Sequence, residues 1–370
     1  MKGEEKPMSH LSHSKCRILL SLVFVTASFT VVTPLKGQIT QTIFVDPHPV
    51  VSGGTVGFAF AGDKFVGSVQ GDGTRILYQT GLDGGNVRLF APQVNVPGVN
   101  YAYEHHVASS PGLGGFPLWD IYVGAGQGVL HISRDGTNSV MFVTGISGPV
   151  HAILFDTVGT YGHDMLVATY AGTVYRINSA GVATLLANFS QFVEGMDIAP
   201  LGAGFGKYDG MLITVEENTG LVRAIPPTGG YIVLNPQKPI ISPESLNFVP
   251  LNLGASGSSL EGYYEVNYPR NVFKADVSQF AQFKGDAIIA SEIGSRTIWR
   301  MHWNGNDFDI IPIGEVPDQA EDSFFINPAF LSGTSCPPRQ IDHGTDRDEW
   351  CRPFCRQDGD ERSRPRKSRP

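Results

Sequence analysis

The sequence predicts an all-β fold, a β-propeller of six blades with the last one incomplete, and three observations carry that prediction. The chain has 44 Gly and 25 Pro among 370 residues and only 17% charged residues. No stretch longer than about ten residues keeps helical periodicity, so short strands joined by tight turns are expected. A hairpin also recurs: its leading aspartates, Asp63, Asp120, Asp164, Asp209 and Asp286, stand 57, 44, 45 and 77 residues apart. A unit of about 44 residues with four strands is the signature of a propeller blade.

The N-terminus reads as an export signal over residues 1–37. Lys15 and Arg17 precede an uncharged run from Ile18 to Val32, followed by Pro34 and the small Gly37 before Gln38. The run is too short for a comfortable membrane span, so the protein is expected to be secreted or periplasmic with no span after cleavage. The propeller is assigned to 38–334. Its cysteine content agrees, because Cys16, Cys336, Cys351 and Cys355 all fall outside Gln38–Leu331, and the domain must be held by packing and sheet hydrogen bonds without disulfides.

Each hairpin alternates apolar and polar residues at period two, as Val174, Arg176 and Asn178 do against Tyr175 and Ile177, which marks strands with two distinct faces. An apolar strand precedes each hairpin, beginning near His105, His151, Glu194 and Glu244, and is read as the innermost strand of its blade. Gly124–Gly128 sits in a hairpin and opens no helix, so it is a tight turn and not a phosphate loop. Gly254-Ala-Ser-Gly-Ser258 lacks the spacing of a nucleophile elbow and reads as a loop. The aromatic cluster Tyr263, Tyr264, Tyr268 and Phe273 occupies the extra material before Asp286 and serves either a ligand-stacking surface or packing.

Charge narrows the partners. Residues 38–330 carry 13 Lys and Arg against 26 Asp and Glu, a net of −13 within a whole-chain net of −8. An acidic body excludes nucleic-acid backbones, which need clustered cations, and leaves small molecules, metal ions, glycans and extracellular proteins. Aligning the innermost strands brings one polar residue per blade to one level: His105, His151, Glu194, Glu244 and Glu321, separated by 46, 43, 50 and 77 residues. Around a propeller axis these converge on one end of the channel. Imidazole and carboxylate donors aimed at one point suit a divalent cation, calcium or zinc, or general acid–base work; a solvated polar channel is the alternative.

Asp164-Met-Leu-Val-Ala-Thr169 followed by Gly172-Thr-Val-Tyr-Arg-Ile177 resembles the middle hairpin of six-bladed propellers of the NHL-repeat and gluconolactonase-like superfamily. The resemblance spans about residues 50–330. It implies a propeller that is either a metal-dependent hydrolase or lyase of a small molecule, or a non-catalytic module binding a protein, glycan or surface component. The lactonases of that superfamily use Glu, Asn and Asp around their metal, whereas His and Glu here make the virginiamycin B lyase-like arrangement the nearer resemblance.

The end of the chain breaks the repeat. Glu321–Pro328 reads as the inner strand of a sixth blade, and no hairpin follows it. Residues 335–370 are rich in Arg, Asp and Pro, a composition unable to offset its ordering entropy. They are expected to be a disordered charged tail marking a frameshifted or truncated end, with two strands of the last blade missing.

Overall fold

Period-two alternation turns each repeated hairpin into a two-faced ribbon that needs cover on both sides. In the computed structural model, which describes residues 39–48, 50–98 and 104–331, each ribbon forms the middle of a four-stranded antiparallel sheet. The export signal and the tail assigned from the sequence lie outside the described residues.

From the inside outward, blade 1 is Thr55–Phe60, Phe65–Val69, Leu77–Thr80 and Arg88–Leu89. Blade 2 is Val107–Ser109, Ile121–Gly124, Gly128–Ile132 and Ser139–Thr144. Blade 3 is Val150–Phe155, Met165–Thr169, Thr173–Ile177 and Ala183–Asn188. Blade 4 is Met196–Ile198, Leu212–Val215, Val222–Ile225 and Ile232–Val233. Blade 5 is Pro243–Phe248, Ala287–Ser291, Thr297–Trp303 and Phe308–Glu315. Each inner strand lies against the next, and the inner strand of blade 6, Gln319–Ile326, touches both that of blade 5 and that of blade 1, so the ring is closed.

The repeated aspartates now have a physical role. Asp120 meets His131 at 2.7 Å, Asp164 meets Arg176 at 2.5 Å, and Asp286 meets Arg300 at 2.6 Å and His302 at 2.7 Å. In each case the carboxylate at the start of the second strand clamps a cationic or imidazole side chain on the third. Such cross-strand pairs help fix hairpin register.

The sixth blade is complete, contrary to the sequence expectation. Its inner strand pairs with Gly262–Tyr268, which pairs with Asn271–Ala275, which pairs with Thr42–Val45 at the outer edge. The middle hairpin is therefore the aromatic insertion between the first and second strands of blade 5. It accounts for the 77-residue interval, and no hairpin is needed after residue 328. Tyr263 and Tyr264 are fully buried and Phe273 nearly so, so these rings pack the blade. At the seam with blade 1, Tyr264 lies 5.0 Å from Phe44, 5.2 Å from Phe65 and 5.4 Å from Phe324, centroid to centroid. The Gly254–Ser258 loop is likewise ordered: the buried Glu261 carboxylate accepts hydrogen bonds from Gly254 N at 2.6 Å and Ser256 N at 2.9 Å.

Candidate functional site

Antiparallel strands reverse direction one by one, so the segments leading into the inner strands and the turns between second and third strands share one end of the channel. That end gathers Glu104 from blade 2, His151 and Tyr170 from blade 3, Glu194 and Glu217 from blade 4, Glu244 and Glu292 from blade 5, and Glu321 from blade 6. His151, Glu194, Glu244 and Glu321, expected from the sequence, all belong to this group, and all four are buried.

His105 does not belong to it. Its Nδ1 lies 2.6 Å from the Gly124 carbonyl oxygen and its Nε2 2.6 Å from that of Gly71, so the ring ties blade 2 to blade 1 and has no nitrogen left for the channel. Its neighbours Glu104 and His106 face the mouth instead, as the alternation of an extended chain requires.

On the blade 2 to 4 side, His151 sits between two carboxylates. Nε2 is 3.4 Å from Glu104 Oε2, and Nδ1 is 2.8 Å from Glu194 Oε2 and 3.0 Å from the Val193 carbonyl oxygen. Hydrogen-bond geometry is met toward the carbonyl and not toward Glu194, whose buried Oε2 receives no hydrogen bond and is held to the ring as an ion pair. Burial works against a charge on His151, but Glu194 and Glu104 hold its imidazolium well above the usual histidine range. Burial also opposes the charge on Glu104, yet hydrogen bonds from His151 and Tyr170 hold that carboxyl down to about 2. His106 stacks edge-on against His151 at 4.9 Å, and its Nε2 is a second buried atom without a partner. Burial and the His151 charge press His106 down to about 3, so it is neutral.

The blade 4 to 6 side is made of carboxyls alone. Burial and the charge of the neighbouring Glu217 push Glu292 up to about 8. Gln319 donates to Glu292 and, at 3.0 Å, to Glu321. Ser242 Oγ donates to Glu217 Oε1 at 3.3 Å. Burial and the surrounding carboxylates also raise Glu244 and Glu321 well above the ordinary range. Among the described residues no Lys or Arg forms an ion pair with any of these glutamates.

Glu104, Glu217 and Glu292 are the partly exposed members, and the sequence alignment of inner strands passed over all three. Glu217 and Glu292 lie just past the second strands of their blades, as Tyr170 does in blade 3, a level that the inner-strand register does not sample. Of the donor types suited to a divalent cation, His106 Nε2 is buried without a hydrogen-bond partner, whereas Glu194 Oε2 is engaged by His151. Among the described residues, however, no three His, Cys, Asp or Glu side chains are already grouped as a metal-holding set. No described helix is long and apolar enough to cross a membrane.

Neither a protein-family model nor a curated protein matches the sequence. Among solved structures, the chain is similar to one in a nidogen/laminin complex, with 11% identity, a TM-score of 0.48, and coverage of 73% of this chain and 84% of that one. It is similar to a catalytically inactive virginiamycin B lyase from Staphylococcus aureus with quinupristin, with 13% identity, a TM-score of 0.47 and 72% of each chain covered. A streptogramin B lyase structure gives 10% identity and a TM-score of 0.43 over 74% of this chain and 87% of that one. Fold alone does not fix activity. Six four-stranded sheets whose inner strands close on one another make this chain a six-bladed β-propeller.

Proposed function

We propose that this is an exported propeller whose channel mouth is a proton-transfer site, at which a small molecule undergoes hydrolysis or elimination. One observation supports the reading above the rest: Glu292, partly exposed at the mouth, is pushed up to about 8 by burial and by the charge of Glu217 beside it. A carboxyl that keeps its proton near neutral pH beside a second carboxyl supplies an acid and a base in one pair. The ionised member takes a proton from water or from the substrate, and the protonated member delivers one to the leaving group. Glu104, held ionised by His151 and Tyr170, faces the pair's charge from across the mouth. His151 and Glu194 lie beneath and act as positioning residues. A divalent cation, zinc by its nitrogen donor, would be held by His106 together with carboxylates of the mouth and would polarise a substrate oxygen. Export is supported by Lys15, Arg17 and the apolar run that follows them.

The test is a carbon-13 NMR titration of the side-chain carboxyls of the full chain. The Glu292 carboxyl is expected to titrate near 8, and Glu217→Gln is expected to return it toward the ordinary carboxylate range. A Glu292 that titrates near 4.5 in the native protein would overturn the reading. In a screen of p-nitrophenyl esters, any hydrolysis by the native protein should fall about a hundredfold or more in Glu292→Gln.

A further inference from the structure

Beside the acidic mouth stands an apolar feature with no structural use. Ile241 and Ile293 are 61% and 62% exposed. The Glu292 N–H donates to the Ser242 carbonyl at 2.9 Å just past the pairing of Pro243 with Ser291, and Ile241 and Ile293 are the residues that adjoin this backbone hydrogen bond on either chain segment. The pair adjoins Glu292 in sequence and Glu244 three residues on. Branched apolar side chains left in water at a channel rim lower the free energy of a ligand that covers them.

The charge around the pair points to what covers it. The glutamates of the mouth have no Lys or Arg partner among the described residues. Glu244, 6% exposed, makes no side-chain hydrogen bond or ion pair among the described residues, and Glu194 has only the His151 ring, 2.8 Å from its Oε2, as a cationic partner. Glu244 is on the inner side of the cluster, where Glu194, Glu321, Glu292 and Glu217 all act on it. Buried acceptors without donors are completed by a ligand that brings donors and positive charge.

We propose that the mouth takes a small organic cation with an apolar body, its ammonium facing the glutamates from Glu104 to Glu244 and its apolar part lying over Ile241 and Ile293. This names the substrate class for the proton-transfer site and rests on that reading only for what happens after binding. A metal ion would satisfy the carboxylates and leave the isoleucines bare; a neutral apolar molecule would cover the isoleucines and leave the carboxyls unsatisfied. An organic cation with an apolar body answers both features at once.

Isothermal calorimetry on the full chain at pH 8 separates these outcomes, with n-hexylammonium, ethylammonium, 1-hexanol and calcium as probes. Hexylammonium is expected to bind at least about tenfold more tightly than either ethylammonium or hexanol, since one lacks the apolar body and the other the charge. The double variant Ile241→Ser, Ile293→Ser alters exposed positions only, and it should weaken hexylammonium about fivefold or more while leaving ethylammonium unchanged. Equal affinity for hexylammonium and hexanol would overturn the proposal, as would no change in the serine variant or binding of calcium alone. Calorimetry needs no turnover, and the carboxyl titration needs no amine. Loss of hexylammonium binding with Glu292 still titrating near 8 therefore refutes the ligand class and spares the proton-transfer pair, and the converse result does the reverse.

Discussion

Asp197 and Asp322 each reach from an inner strand to the backbone of a neighbouring blade. Asp197 accepts from Phe248 N at 2.8 Å and Asp322 from Phe58 N at 3.3 Å. Burial raises both from 3.8 to about 7 against these hydrogen bonds. A carboxyl that binds its proton more tightly when folded contributes stability that is complete below about pH 4 and is lost as pH rises through about 7. Glu265, raised by burial to about 7, acts in the same direction. Urea denaturation is thus expected to show lower stability at pH 8 than at pH 5, and Asp197→Asn with Asp322→Asn should narrow the difference. A stability that rises from pH 5 to pH 8 would contradict this assignment. At His105 the expected effect is on blade packing and not on the mouth. His105→Ala removes the ring that lies between the carbonyls of Gly71 and Gly124 and with it the one hydrogen bond a neutral imidazole donates there, at a cost of about 1–3 kcal/mol for a buried unsatisfied group, and should leave the Glu292 titration in place.

The same residue marks how finely a sequence can be read. Repeat spacing brought His151, Glu194, Glu244 and Glu321 to the right end of the channel, because period and strand direction are written in the chain. Spacing could not tell His105 from Glu104 or His106, since a shift of one residue exchanges the two faces of an extended segment. Glu217 and Glu292 escaped for another reason. Their role depends on a partner in the next blade, and nothing local in Glu216-Glu217 or Glu292-Ile293 records which blade comes next.

At the scale of the element, the hairpin Gly262–Tyr268 and Asn271–Ala275 is the informative case. Its alternation was legible, yet it sits inside blade 5 and serves blade 6, so a reading that assumes blades in chain order takes it for an insertion and finds the last blade short. Most consecutive strands are neighbours in space; the two strands of this hairpin pair with each other but not with the blade 5 strands that precede and follow them. Its stability contribution is concentrated in Tyr264, fully buried among Phe44, Phe65 and Phe324. Tyr264→Ala is expected to cost about 3–5 kcal/mol by the range seen for large aromatic deletions. The comparison is Leu185→Ala on the outer strand of blade 3, 53% exposed, which should cost under about 0.5 kcal/mol. Thermal denaturation of the two variants checks the contrast, and equal losses would mean that the aromatic seam does not hold the ring.

For the whole molecule, closure joins three distant stretches of chain in one sheet: Thr42–Val45, the hairpin 262–275, and Gln319–Ile326. This sets an order of events during synthesis. Once Ala275 has been made, 44 residues must still be added before Gln319 appears, roughly 2 to 9 s at ribosomal rates of about 5–20 residues per second. For that interval the first strand and the aromatic hairpin can pair with each other, but the inner edge of the hairpin has no partner strand, and Tyr263 and Tyr264 lack Phe325 and Phe324. A nascent chain of this protein is therefore an open arc with a bare, ring-rich edge until nearly its last described strand emerges, and its blades become a ring in one late step.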